Sequence, residues 1–489
     1  MSAALLVILA TIIVAAAVGV YAGSRVKMNL ENWTVAGRRF GVIIMWLLMA
    51  GEIYTTFTFL GASGWAYSRG APTFYILIYG TLAYTVSFFI LPAIWNIGKQ
   101  KGLHTQPDFF VFRYESRTLG IIVAAIGVLS ILPYLQLQLT GLGLIVEVAS
   151  EGAIGSNEAI LLSFILTCLF VYTSGLRGTA WVSVIKDLMM ILAVVVVGIG
   201  VPHIYFGGFG QMFRQLMEKH PAHLVFPGAT ANMDTLWVMS TVLLTGLGFY
   251  MWPHVFASAF SAKSAATIKR NAVIMPFYQI PILLVIMVGF TALLVIPGLK
   301  NGDMAFLELV RQTYPSWFLG FVGAAGAVTA MVPSSVLVLF AATLLAKNIY
   351  KEGFAPRATE EAVLRLSRLL VLVIMVVALL LAFYFPQALV NLLLIGYDGV
   401  SQFFPGVVLG LFWKGVKRRG VFLGLVGGFT LAAALVFSGQ DPFLGMNAGF
   451  VALLVNTLMT VAGSVDLKAK REKKLSSQSN KVAVKEPKN

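Results

Sequence analysis

Cysteine occurs once in this chain, at Cys168. That excludes an intrachain disulfide and a thiolate metal cluster, and a lone thiol inside an apolar run reads as packing. Charge is scarce as well. Asp, Glu, Lys and Arg make up 11% of the 489 residues, against 58% hydrophobic residues, a composition that no soluble domain of this length shows. Histidine is rarer still, and His104, His203, His220 and His223 lie in loops with no second ligand at metal spacing. No metal site is assigned. His254, after Pro253, reads as a helix-end or inner-gate residue. No nucleophile–base constellation is visible at a helix end. The glycine-rich stretches GLGLIVE (141–147) and GAAGA (323–327) follow no strand and carry no P-loop lysine, so they read as small-residue packing seams. These absences argue against an enzyme.

What the chain has instead is apolar runs, each long enough to cross a bilayer as a helix. We read about thirteen: 3–22, 40–67, 73–98, 118–146, 159–174, 178–200, 236–257, 272–296, 316–345, 366–384, 387–412, 420–438 and 446–464. The expectation is an all-α integral membrane protein with one polytopic domain over 1–465 and a polar, basic tail over 466–489. The tail reads as disordered, either solvated or touching anionic lipid head groups. The net charge of +15 does not point to nucleic acid, because its distribution is topological. Apart from Lys186, only Arg69, Arg214, Lys219, Lys300 and Arg311 fall in one alternate set of loops, and the rest of the 35 basic residues fall in the other. By the positive-inside rule the rich side is cytoplasmic. This gives a multi-pass cell-membrane protein with its N-terminus outside and its C-terminus inside. Met1–Ala22 has no charged n-region and reads as a first spanning helix.

Lys186 is the exception that carries chemistry. It sits beside Asp187 in the apolar stretch WVSVIKDLMMILAVVVVGIGVP (181–202). A charge at mid-span costs about 2.5–3.5 kcal/mol on insertion scales, and such residues usually face a protein-lined cavity. Two other spans are interrupted. The second, WLLMAGEIYTTFTFLGASGWAYSRG, places Glu52, Tyr54, Thr55, Thr56 and Thr58 at mid-depth among Gly51, Gly61 and Gly64; the seventh carries Gly246, Gly248 and Pro253. Non-helical backbone at membrane depth is tolerated where it is buried or lines a cavity, and its freed groups coordinate substrates and ions in carriers. The two interruptions lie five helices apart, as inverted repeats over about 40–200 and 236–412 require. Unwinding is expected around Glu52–Thr56 and Gly246–Gly248.

These residues resemble the sodium:solute symporter family. The landmarks are FLGASGWAYSRG (59–70), HTQPDFFVFRYESR (104–117), SGLRGTAW (174–181), GFYMWPHVFASAFSAKS (248–264), LLAKNIYK (344–351) and FFPGVVLGLFWKGVKRRG (403–420). The resemblance implies a LeuT-like five-plus-five inverted repeat with an added N-terminal helix and two C-terminal ones. GEIYTTFTFLG and SVIKD are most similar to the branch of monocarboxylate permeases. The expected function is a secondary active symporter that takes up a small organic, anionic solute, a short monocarboxylate, with an inward cation gradient. The co-transported ion is H+ or Na+, and no other cofactor is implied. The other readings are a sodium symporter for an amino acid or vitamin acid, and a transporter-like membrane sensor.

The resemblance also implies a cation site. It takes carbonyls of Gly51 and Tyr54 and three ninth-helix positions, Thr329, Val332 and Pro333. Valine and proline offer no hydroxyl, while Ser334 and Ser335 beside them would restore hydroxyls after a shift of one or two residues. In the family an aspartate follows the Trp-Thr pair of the sixth helix; here Ser183 stands there, and Lys186 follows one turn deeper. Its ammonium is then a tethered cation in the ion's place, and its protonation can be coupled to opening. Asp187 projects about 100° away around the helix, so Glu52 and Asp398 are the expected partners. Tyr54, Thr55, Thr56, Phe249 and Trp252 are the expected substrate contacts, with Gln136 and Gln138 as weaker ones. Packing between helices is the ordinary reading of the aromatics.

Overall fold

The computed structural model describes residues 2–24, 38–230 and 232–465, without the side chains of 20, 22–24, 52–53, 172–178 and 180. The basic tail over 466–489 and the side chain of Glu52 thus lie outside the described residues. The elements are α1 (Ala3–Ser24), α2 (Val42–Ile53), α3 (Ala62–Ser68), α4 (Tyr75–Lys101), α5 (Gln106–Tyr114), α6 (Arg117–Ala149), α7 (Ser156–Phe206), α8 (Phe209–Lys219), α9 (Thr235–Gly248), α10 (Pro253–Ser258), α11 (Ala265–Ile274), α12 (Gln279–Val295), α13 (Ala305–Thr313), α14 (Ser316–Thr343), α15 (Glu360–Tyr384), α16 (Leu389–Val400), α17 (Phe403–Phe412), α18 (Arg418–Phe437) and α19 (Ala448–Ser464). Among the described residues the only β pairing is two isolated bridges, one of which ties Phe40, just ahead of α2, to Ala262 after α10.

Among the described residues, seven helices are long and apolar enough to cross a membrane, or up to nine if each of two bent pairs is one span. Four shorter apolar helices, Ala3–Gly19, Val42–Gly51, Ser156–Val171 and Ala448–Ser464, cover the remaining apolar runs of the sequence. The runs at 159–174 and 178–200 are joined in one continuous helix, α7. The SGLRG stretch between them contains glycine but no proline, and glycine alone does not remove a backbone donor.

The core sits where α6, α7 and α14 meet. These three helices pack on one another, with α1 laid against α7 and α14. α14 is the most enclosed, with 94% of its spanning window buried. The two broken helices lie against this core. α2 stops at Tyr54, whose φ −79° and ψ 95° are extended, and a buried π-helical turn, Phe57–Gly61, leads into α3. The seventh span also breaks, but at Phe249–Trp252 rather than at Gly246–Gly248. α9 continues through Gly248, a single 3₁₀ turn follows, Trp252 is extended at ψ 128°, and α10 leaves at 48°. The physical cause is Pro253, which lacks an N–H and pushes the residue before it out of the helical region. Gly246 and Gly248 serve contact instead: a Cβ on Gly246 would lie 2.7 Å from Leu82, and one on Gly248 would collide with Ser401. A third break, not expected from sequence, bends α16 against α17 by 43°.

Candidate functional site

The break in α2 is built from threonines. Tyr54 makes the last helical amide bond, to the Ala50 carbonyl at 2.9 Å. The next amide, Thr55, donates to Thr58 Oγ1 at 3.0 Å, and Phe57 N donates to Thr55 Oγ1 at 3.2 Å. Thr56 N reaches Gln138 Oε1 on α6 at 3.4 Å, while Thr56 Oγ1 donates to the same atom at 2.8 Å. Side-chain oxygens thus take the amides that the helix gives up. Gly51 O, which the Thr55 amide would have bonded in a continuous helix, is released by this exchange and, with Tyr54 O at the end of α2, is open to another donor.

Lys186 takes both. Its Nζ donates to Gly51 O at 2.7 Å and to Tyr54 O at 3.0 Å, with the lysine side chain fully buried. Gly51 packs directly under this contact: a Cβ there would lie 3.4 Å from Nζ and from Ser183, at van der Waals distance. The described counter-charge is Asp187, whose Oδ1 lies 3.1 Å from Nζ. This corrects the expectation that Asp187 points away: the directions of neighbouring Cα–Cβ bonds do differ by about 100°, but the long, flexible lysine stem folds back beside the next side chain. Neither oxygen of Asp187 has a hydrogen-bond partner among the described residues, so the ion pair is what holds it.

Of the two expected partners, the Glu52 side chain lies outside the described residues. Asp398, buried on α16, abuts Gly449 on α19 so closely that no Cβ would fit there. That corrects its role as Lys186's partner: α16 turns this carboxylate toward α19. Ser183 bonds back to the Thr179 carbonyl at 3.0 Å, one turn before Lys186. On α14, Ser334 and Ser335 turn onto their own helix, at 2.7 Å to Ala330 O and 3.0 Å to Met331 O. Thr329 is fully buried, and its Oγ1 has no partner among the described residues. Its carbonyl also loses its ordinary helical donor, because the residue four places on is Pro333.

The aromatic residues form a packed set. Phe249 lies 6.2 Å from Tyr79, 6.1 Å from Tyr84 and 4.9 Å from Tyr250. Trp252 lies 5.0 Å from Tyr134 and 5.4 Å from Tyr397, and presses on Gly396. The Tyr54 hydroxyl donates to the Tyr278 carbonyl, so of Tyr54 it is the backbone that meets the site.

Sequence reasoning missed a second polar cluster, at the start of α5. Thr105 and Asp108 form a capping box at the start of α5. Asp108 Oδ2 accepts from His104 N at 2.9 Å and Thr105 N at 3.0 Å, and Oδ1 accepts from Lys347 Nζ and from Asn348 Nδ2 at 2.9 Å. Burial works against the charged carboxylate, but the Lys347 ammonium and these hydrogen bonds outweigh it and hold Asp108 down to about 2. The same short helix reaches two further segments of the chain: Gln106 Nε2 donates to Met251 O at 2.9 Å and Arg113 Nε to Gly410 O at 2.6 Å. The T-x-x-D spacing was the available signal.

The sequence matches the profile of the sodium:solute symporter family over residues 33–428. The chain belongs to this family. Its relatives include the uncharacterized symporter YhjB of Bacillus subtilis, 43% identical across 97% of this chain and 98% of that protein. A protein named monocarboxylate transport permease protein, from Rhizobium johnstonii, is 28% identical across 90% of this chain and 91% of that one. Among solved structures, a sodium-coupled sialic acid symporter in a substrate-bound outward-open state superposes with a TM-score of 0.77 at 15% identity, over 95% of this chain and 97% of that one. A nucleobase-cation-symport-1 family transporter in a closed conformation gives 0.54 at 14% identity, over 88% and 93%. The family makes this a multi-pass membrane transporter, a symporter of a small organic solute, and not an enzyme.

Proposed function

We propose that the protein carries a short monocarboxylate into the cell with a proton, and that Lys186 stands in the place of a coupling metal ion. One observation carries this reading: the Lys186 ammonium is hydrogen-bonded to Gly51 O and Tyr54 O, the two carbonyls that the family resemblance assigns to a cation. A buried ammonium needs the solvation that such carbonyls supply, and a deprotonated amine does not, so protonation binds the lysine to the broken helix. A proton taken up from outside closes this contact; its loss to cytoplasmic water frees Gly51 O and Tyr54 O and lets the broken helix rearrange. Asp187 balances the charge in the protonated state. The monocarboxylate reading is supported by the sequence likeness to the Rhizobium johnstonii permease, and the membrane sidedness by the positive-inside distribution; the inward direction is that of the proposed proton gradient.

A second reading, sodium coupling, is favoured by Thr329, whose hydroxyl is unpartnered and whose carbonyl is released by Pro333. Hard cations take such oxygens. Uptake of labelled lactate or pyruvate into proteoliposomes decides between them. Accumulation driven by an inward proton gradient in sodium-free buffer is the expected result. Strict sodium dependence with no response to pH would overturn proton coupling.

A further inference from the structure

One face of α6 runs past both broken helices. Gly127 packs on Pro253, where a Cβ would lie 2.9 Å from the ring; Tyr134 packs at a tilt against Trp252, ring centroids 5.0 Å apart; and Gly141 seats Thr56, whose Cβ would be 2.5 Å from an added methyl. The positions 127, 134 and 141 are two helical turns apart, and Gln138 falls on the same stripe, one turn from both Tyr134 and Gly141. It is therefore set between the break at Trp252 and the break at Thr56.

The orientation of its carboxamide follows from its partner. A backbone amide can only donate, and Thr56 N points at Gln138 from 3.4 Å, so the end facing Thr56 is Oε1. The Thr56 hydroxyl completes that contact at 2.8 Å. Nε2 then faces the other way. Gln138 is 1% exposed, and its Nε2 has no hydrogen-bond partner among the described residues. Gln136, on another face of the helix, spends its own Nε2 on the Phe385 carbonyl at 2.7 Å. A buried donor with nothing to bond is destabilising, and natural structures retain few of them. Such groups mark places where a ligand completes the set.

We infer that Gln138 determines specificity for the substrate's acid group: its Nε2 donates to a carboxylate oxygen of the solute while Thr56 fixes the carboxamide from behind. The inference rests on the monocarboxylate reading above. The chemistry fits, because a carboxylate offers only acceptors and Nε2 offers only donors. The amides at Tyr54, Thr55, Thr56 and Phe57 all have internal partners, so this side-chain donor is the one the break leaves open to an anion. The placement also links substrate to coupling, since Thr56 lies two residues from Tyr54, whose carbonyl holds Lys186.

The test uses the full chain in proteoliposomes, with labelled lactate, pyruvate, acetate and propionate, and their carboxamides as competitors. Wild type should carry at least one of the acids and prefer it to its amide. Gln138→Glu keeps the acceptor toward Thr56 and removes the outward donor, so half-saturation for the acid should rise about tenfold or more. The acid-to-amide preference should fall by a similar factor, because the amide can donate to the new carboxylate. Gln138→Leu, checked for folding by its melting temperature, should raise half-saturation without creating the amide preference. Folded variants with wild-type half-saturation and an unchanged acid-to-amide ratio would overturn the role of Gln138 alone. Wild type that carries none of the acids would overturn the monocarboxylate reading, and this inference with it.

Discussion

A lysine ammonium fully buried on two main-chain carbonyls, with the Asp187 carboxylate 3.1 Å away among the described residues, has little freedom to change charge without moving something. Lys186→Met keeps the bulk of the stem and removes the charge. In the proton-coupled reading it should abolish gradient-driven accumulation while leaving substrate exchange in counterflow. Loss of both activities together, in a protein that still folds, would argue for a purely structural lysine. Asp187 gives an independent check. Removing one partner of a buried pair leaves the other uncompensated, typically at about 3–5 kcal/mol, whereas removing both is far milder. Asp187→Asn should therefore lower the melting temperature sharply, and adding Lys186→Met should restore most of it; additive losses would count against the pair. Lys186 was legible in the sequence because a charge amid apolar residues stands out. Its pairing with Asp187 was not, because helix geometry fixes where a side chain starts and a long stem decides where it ends.

At the scale of elements, the break in α2 was legible from its glycines and hydroxyls, and the one after α9 was placed too early because glycine was weighed above proline. The bend between α16 and α17 is not among the expected breaks, although Gly396, Gly399 and Pro405 flank it in the sequence. Two short loop elements carry carboxylates with opposite pH behaviour. Asp108, held down to about 2 chiefly by Lys347 against the cost of burial, contributes stability that is present above the ordinary carboxylate range and is lost only as pH falls through about 2. Asp108→Asn should then cost about 2 kcal/mol equally at pH 6 and pH 8; a difference between those two pH values would show that the latch titrates in the working range. Asp303, in the 3₁₀ turn just before α13, is pushed up to about 6 by burial, although its Oδ2 accepts from Leu389 N at 3.0 Å. Here folding favours the protonated acid, so stability is greatest at low pH and is lost as pH rises through about 6. Asp303→Asn, which keeps an acceptor for Leu389, should raise the melting temperature at pH 7.5 and leave it nearly unchanged at pH 4. A uniform effect at both pH values would mean that the carboxyl is not held neutral by its surroundings.

For the whole molecule, composition alone fixed the solvent: a chain with so few charges has to be dissolved in lipid, and the apolar runs seen in the sequence reappear as helices. The expected inverted repeat was not readable from periodicity, since every span looks alike, and rests on the five-helix spacing of the two interrupted spans and on the order of the family landmarks. Sidedness rests on charge. The loops that gather nearly all the lysines and arginines include 346–368 and 413–419, while 203–235 carries only Arg214 and Lys219. Insertion keeps short basic loops on the cytoplasmic side, so 203–235 should face outward and 346–368 inward. Because Cys168 is the only cysteine, a Cys168→Ser background makes this directly measurable. In intact cells a membrane-impermeant maleimide should label Ala222→Cys at once and Arg357→Cys only after permeabilisation, both positions being exposed. The reverse pattern would invert the molecule in the bilayer and overturn the proposed sidedness. Labelling of both in intact cells would place the two loops on one face, which the parity of spans between them does not allow.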